Sequence, residues 1–203
     1  TSEQLGRYLS SALAISRSKT AIVEEYQDGI EVSVDCYITG RKARILMMTE
    51  LNKKDLGQEA FVIFQSFIPA PVSNAVKEKV KTLSQSIADQ FSLNSTPLLI
   101  QLIINQDDVK VVEFSARIGG ASKHRLLKSI VGFDILHAYV DSYLGITPHI
   151  EVKENNYLYS RNHIYTYSAV FGSVENHEEL IREGIIEEFV FYKTSGMKVG
   201  DSL

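Results

Sequence analysis

Two runs, Pro97 to Ile104 and Val109 to Phe114, constrain the fold of this chain more than any other feature. Each has the length and the apolar content of one β-strand. The turn-forming residues Asn105-Gln106-Asp107-Asp108 join them, so the pair reads as an antiparallel hairpin. The clearest helix lies just upstream. Ser73 stands at its N-cap, and Val76, Val80, Leu83, Ile87 and Phe91 form one apolar stripe, with Lys77, Glu78, Lys81 and Gln85 facing away. Hairpins with one-faced helices to pack on them read as an α+β fold.

The rest of the chain follows the same grammar. A helix is expected from Ser2 to about Ser16, with Leu5, Leu9, Ala12 and Leu13 at helical spacing. Ala21-Ile22-Val23 reads as a short strand that stops at Glu24-Glu25-Tyr26, and Gln27-Asp28-Gly29 as a turn. Ile30, Val32 and Val34 then alternate with Glu31, Ser33 and Asp35, a half-buried strand. Thr39-Gly40-Arg41-Lys42 is a hairpin turn into a returning strand, Ala43 to Met48. Asn52 to Gln58 reads as a loop and Phe61 to Phe67 as a strand ended by Pro69 and Pro71. Gly119-Gly120 breaks the chain before a basic helix, Ser122 to Ile130, and Gly132-Phe133-Asp134 introduces another from Ile135 to Leu144. The trailing part reads as strands, Tyr157 to Ser168 and Ile186 to Tyr192, around an acidic helix, Glu175 to Arg182. The expected order is α-β-β-β-β-α-β-β-α-α-β-α-β, without an internal repeat.

Composition narrows the function classes. Of 203 residues, 44% are hydrophobic and 23% charged, enough to build a core and too apolar for a disordered chain. The net charge of −4 argues against a general nucleic-acid binder, so a polyanionic ligand would be met by local cations or a metal. The single cysteine, Cys36, excludes an internal disulfide and makes a reducing, cytoplasmic compartment the expectation; it reads as a packed strand residue. The apolar runs are strand-sized, so no membrane span and no membrane partner are expected. The chain opens on Thr-Ser-Glu-Gln, as a helix would, and ends on what reads as mid-chain sequence. A fragment of a longer protein is the expectation.

The hairpin carries the first candidate chemistry. Alternation puts Gln101 and Ile103 on one face of one strand, and Glu113 and Ser115 on one face of its partner. Adjacent strands can thus bring together three oxygen donors, Gln101, Glu113 and Ser115, a typical protein share of a Mg²⁺ site whose other ligands are water and phosphate. Arg117 lies two residues on, where a phosphate would sit. The same pattern also fits an edge hairpin with a solvated face. At the second site, Ile22 to Glu31, a strand end could offer backbone groups to a planar heterocycle and Glu31 could accept two ribose hydroxyls. On the residues alone, an ordinary strand-turn-strand with exposed acids is the simpler fit. Lys53 and Lys54 follow a strand end, and Lys123, His124 and Arg125 form a basic cluster after the glycines. The histidines at 137, 149, 163 and 177 lack metal-ligand spacing.

The run Ile22-Val23-Glu24-Glu25-Tyr26-Gln27-Asp28-Gly29-Ile30-Glu31-Val32-Ser33-Val34 resembles the adenine- and ribose-binding hinge of the ATP-grasp ligases. Val112-Glu113-Phe114-Ser115-Ala116-Arg117-Ile118-Gly119-Gly120 resembles that family's metal-binding strand and glycine loop, usually Glu-x-Asn-x-Arg. Gln101 stands where the family has its upstream metal ligand, as in the carbamoyl-phosphate synthetase large chain, and Gly132-Phe133-Asp134-Ile135-Leu136 resembles the following Gly-x-Asp-Leu stretch. The resemblance implies the C-terminal subdomain of an ATP-grasp domain over residues 1–150, an antiparallel sheet with packed helices, and a β-rich extension over 151–203.

It also implies roles. Glu24, Glu25 and Gln27 fall in the adenine hinge, Glu25 through its carbonyl and Gln27 through its N–H. Glu31 would hold the ribose, and Lys53 stands where the family often places a cation near phosphate. Gln101, Glu113 and Ser115 would hold Mg²⁺, with Mn²⁺ as a substitute, against ATP. Arg117 would stabilise charge on the transferred phosphoryl group. The implied reaction activates a small-molecule carboxylate as an acyl-phosphate, which an amine attacks, giving ADP and phosphate. A bicarbonate-using carboxylase and a non-catalytic, regulatory nucleotide-binding remnant are the alternatives, and a homodimer is compatible with either. Ser115 departs from the family's Asn. The family's preceding lysine-bearing region is expected upstream of residue 1, so this chain alone should turn over weakly or not at all.

Overall fold

The alternating run that begins at Ile30 becomes the centre of a sheet. A computed structural model of the chain describes residues 2–55, 61–153, 156–165 and 169–199. β1 (Ile30–Thr39) turns into β2 (Lys42–Asp55) through Gly40 and Arg41, both at positive φ (+54° and +63°). That backbone matches the twist of the flanking strands, which is why a Gly leads the turn. Gln85 holds the turn from the side: its Nε2 donates to the Arg41 carbonyl at 2.9 Å and its Oε1 accepts from Ala43 N at 3.0 Å. β3 (Phe61–Ile68) continues the meander, and α2 (Asn74–Gln90) follows α1 (Ser2–Ile15) in chain order. Ser73 Oγ accepts from Val76 N at 3.2 Å, the expected N-cap. β4 (Thr96–Asn105) and β5 (Asp108–Ser115) form the expected hairpin.

The main sheet has six strands in the order β5-β4-β1-β2-β3-β6, where β6 is Tyr159–Asn162. Every neighbouring pair is antiparallel. One face is sealed: Val32, Val34, Cys36 and Ile38 of β1, with Ile100 and Leu102 of β4, bury against Val76, Val80 and Ile87 of α2. Over the other face run α3 (Lys123–Leu126), a π-helical turn (Leu127–Val131) and α4 (Ile135–Tyr143). Leu127, Val131, Phe133 and Ile135 pack there on Tyr37, Leu46, Met47 and Ile68. A bulge opposite the Asp35/Cys36 step lets consecutive Leu46 and Met47 both join that second core. The α+β antiparallel architecture expected from the sequence is thus the one observed.

Several local expectations are corrected. Residues 21–23 form no strand; Ile22 and Val23 are 86% and 62% exposed, and three apolar residues without a partner strand have nothing to bury against. Of the loop expected at 52–58, residues 52–55 belong to β2, and 56–58 lie outside the described residues. The basic helix expected at 122–130 is a short α-helical turn followed by the π-helical one. In the trailing part, the strand expected at 157–168 is only β6, with 166–168 outside the described residues, and 186–192 is not a strand. There Phe189 and Phe191 gather around the His177 ring at 5.3 and 5.0 Å instead of alternating across a sheet. α5 (His177–Arg182) starts two residues late because Asn176 sits at φ +63°. Among the described residues, β7 (Ala169–Val170) and β8 (Lys198–Val199) pair only with each other. Among the described residues no helix is long and apolar enough to cross a membrane.

Candidate functional site

The second face of the sheet is covered only in part, and its open part gathers the chemistry. Directly paired residues of neighbouring strands share a face. One such line crosses four strands: Glu113 of β5 pairs with Gln101 of β4, Gln101 with Ser33 of β1, and Ser33 with Thr49 of β2. A β-bulge makes the first pairing. Leu102 pairs with Val111 and Gln101 with Glu113, so Val112 is the extra residue. In an unbulged ladder Val112 would stand opposite Gln101 and Glu113 would turn to the α2 face. Ser115 pairs with Leu99, one side-chain step along, and is half-buried, while Glu113 is exposed.

Glu31 lies on this same face, two residues before Ser33, and Lys53 lies two beyond Leu51. Lys53 Nζ reaches Glu31 Oε2 at 2.5 Å. The structure therefore brings together five of the expected residues: Glu31, Lys53, Gln101, Glu113 and, at the margin, Ser115. Arg117 stands past the end of β5, exposed, with Nη1 donating to the Ile118 carbonyl at 3.1 Å. The hinge is looser. Glu24 and Glu25 are exposed in an irregular stretch, and their side chains make no hydrogen bond or ion pair among the described residues; Gln27 is half-buried. Gly29 ties this stretch to the sheet: a Cβ there, at φ +147°, would sit 2.4 Å from the Ile104 carbonyl oxygen.

Sequence reasoning missed the best-ordered polar group on this face. Lys123 does not join an exposed basic cluster; it turns inward. Its Nζ lies 2.9 Å from Asp35 Oδ2 and donates to Thr49 Oγ1 at 2.8 Å, with Ser33 Oγ at 3.5 Å. All four side chains are buried. A buried charge persists only when paired and hydrogen-bonded, and this one has both. Gly119 lies against the pair, where a Cβ would come within 2.7 Å of Asp35 Oδ1. The glycine loop therefore rests on a buried ion pair beside the Gln101–Glu113 line. The one signal in the sequence was Asp35 itself, a charge inside an apolar strand. His124 is half-buried, and Arg125 forms an ion pair with Glu188.

Burial pushes the Cys36 thiol up to about 12, and it donates to Ser84 Oγ at 3.7 Å, the environment of a packed and inert thiol. Burial, aided by the charge of Arg161, holds His163 below the ordinary imidazole range. Among the described residues no three His, Cys, Asp or Glu side chains cluster as a metal cage. The Gln101–Glu113 pair offers hard oxygen donors and one carboxylate. That set suits Mg²⁺ when other ligands complete its shell.

Comparison with known proteins agrees with this architecture. Residues 6–124 match the family model for the ATP-grasp domain. Phosphoribosylglycinamide synthetase from Anaerococcus prevotii is similar over 98% of this chain and 51% of its own, at 15% identity and a TM-score of 0.69. L-amino acid ligase from Bacillus licheniformis is similar over 87% of this chain and 46% of its own, at 17% identity and a TM-score of 0.67. The biotin carboxylase domain of the Hydrogenobacter thermophilus 2-oxoglutarate carboxylase was solved with MgADP, ADP and bicarbonate. It is similar over 99% of this chain and 46% of its own, at 12% identity and a TM-score of 0.70. This chain thus spans about half the length of these solved chains. No curated protein matches it in sequence.

Proposed function

This chain belongs to the ATP-grasp family, and from that membership we propose that it is the Mg²⁺–ATP-binding half of an ATP-dependent carboxylate–amine ligase. The observation that carries the reading is the bulge-set pairing of Gln101 with Glu113 on the open sheet face. Residues 1–150 form the nucleotide half, and 151–203 pack on it beside the acceptor. The adenine lies along the hinge formed by Glu24, Glu25 and the half-buried Gln27. Glu31 takes the ribose hydroxyls and releases Lys53, whose ammonium then faces the phosphates. Gln101, Glu113 and Ser115 would hold Mg²⁺, which would supply charge neutralisation at the phosphates.

A carboxylate oxygen attacks the γ-phosphorus, and ADP leaves. Arg117 stabilises the charge on the transferred group and on the acyl-phosphate. The amine then attacks the acyl carbon, phosphate departs, and the amine proton is lost. The glycine loop, held down by the Lys123–Asp35 pair, presents backbone to the acceptor. The likeness to carbamoyl-phosphate synthetases rests on Gln101 alone. The single cysteine supports a reducing, cytoplasmic setting for this activity.

Calorimetric titration of the chain with ATP tests the nucleotide half. Binding should tighten by about tenfold or more with Mg²⁺, and Glu113→Gln should remove that gain. Equal affinities with and without Mg²⁺ overturn the reading. ADP release from the chain joined to its upstream sequence, with pooled carboxylates and amines, tests the ligase half. It should require one member of each pool.

A further inference from the structure

We propose that a large cavity at the β3–β6 end of this same face binds an organic acid with a bulky apolar or aromatic body, its carboxylate held by Arg161. We infer further that this acid is the carboxylate the ligase activates; that second part rests on the ligase reading, and the binding part does not.

The cavity has a volume of about 1380 Å³ and lies between residues 122–130 on one side and residues 158–165 and 171–193 on the other. That is far more room than a bicarbonate needs. Tyr159, His163, Tyr165, Phe171, Phe189 and Phe191 line it, so its walls favour an apolar, aromatic body. Its charges favour an anion: Arg125, Lys128, Arg161 and Lys193 face two carboxylates, Glu187 and Glu188. The cations are not equivalent. Arg125 is paired with Glu188, and Lys128 Nζ lies 2.8 Å from Asp134 Oδ2. Arg161 is half-buried, and among the described residues it meets Tyr192 and no carboxylate. A half-buried guanidinium beside aromatic walls is best satisfied by a bidentate carboxylate.

Position links the cavity to the reaction. Arg161 pairs with Ser66 across β6 and β3, and Ser66 with Leu51 of β2, two residues from Thr49. Arg161 therefore stands on the same sheet face as Gln101 and Glu113. Its Nη2 donates to Tyr192 Oη at 2.5 Å, and that hydroxyl donates to Ser122 Oγ at 3.0 Å. Ser122 is buried at the end of the glycine loop and lines the cavity. A carboxylate on Arg161 is thus two hydrogen bonds from the loop that presents the acceptor.

Calorimetry on the full chain with 3-phenylpropionate, 3-phenylpropanamide, acetate and bicarbonate tests the binding part. The aromatic acid should bind, and its amide and acetate should bind at least about tenfold more weakly. Arg161→Ala should weaken the acid by about tenfold or more. Arg161→Lys should retain part of the affinity, with circular dichroism and the thermal midpoint confirming the fold of both. Equal binding of acid and amide, or an Arg161→Ala chain that binds like the parent, overturns the site. So does no binding of the acid by the folded chain. Mg²⁺–ATP binding by the unaltered chain, measured in parallel, reports separately on the nucleotide reading. With the chain joined to its upstream sequence, ADP release stimulated by an aromatic acid supports the substrate assignment. Stimulation by bicarbonate alone overturns it.

Discussion

The two faces of the central sheet follow opposite rules. Under α2 the face is apolar from Val34 and Ile100 to Val76 and Val80, and the buried hydroxyl of Ser84 is satisfied by the Val80 carbonyl at 2.8 Å. The other face is apolar only beneath α3 and α4. Toward β4 and β5 it opens onto Glu31, Gln101 and Glu113, with the Lys123–Asp35 pair at the boundary. Both faces belong to the same strands, so alternation builds the two environments together. The difference teaches where stability and function were separated. One face is given over to apolar burial, and the other divides between a second apolar core and charge that could not be buried without partners.

That separation can be broken in graded ways. Lys123→Met leaves Asp35 buried without its cation and should lose about 4 kcal/mol, read as a fall in the denaturant midpoint. Asp35→Leu in the same chain should return most of that loss, because an apolar pair of similar volume needs no partner. If the single substitution is neutral, the boundary between the faces is not electrostatic. Ile100→Ala on the sealed face should cost about 3 kcal/mol by cavity formation, with Mg²⁺–ATP affinity of the folded fraction unchanged. A loss of affinity there would show that the faces are coupled.

Gly119→Ala pushes a methyl to within 2.7 Å of Asp35 Oδ1 and should cost about 1–3 kcal/mol. Its signature is a parallel fall in stability and in ATP affinity, since the loop and the ion pair move together. Glu113→Gln should change stability by less than about 0.5 kcal/mol, because the side chain is exposed. It should nevertheless abolish the gain in ATP affinity from Mg²⁺. A large stability loss would make Glu113 a structural residue instead.

Much of this fold was legible because it is local. Ser73 and the stripe from Val76 to Ile87 specify α2 within one helix, and Gly40-Arg41 specifies the β1–β2 turn within one hairpin. The trailing part was legible only in outline. Its aromatic residues looked alternating, but Phe189 and Phe191 found each other and His177 instead of a partner strand. The candidate site divides in the same way. Glu113 and Gln101 could be singled out by residue type and motif, yet strict alternation across the hairpin does not place them on one face.

By itself, the sequence determined β1 to β5 in outline, the capped helix, the β1–β2 turn and the family-like runs around Glu31 and Glu113, because each depends on residues within a few positions of one another. Only the tertiary structure decided the pairings made across long stretches of chain. The bulge at Val112 set Glu113 opposite Gln101, Lys123 found Asp35 across 88 positions, and β6 brought Arg161 to the same face. Register and packing choose such partners, and no local propensity encodes them.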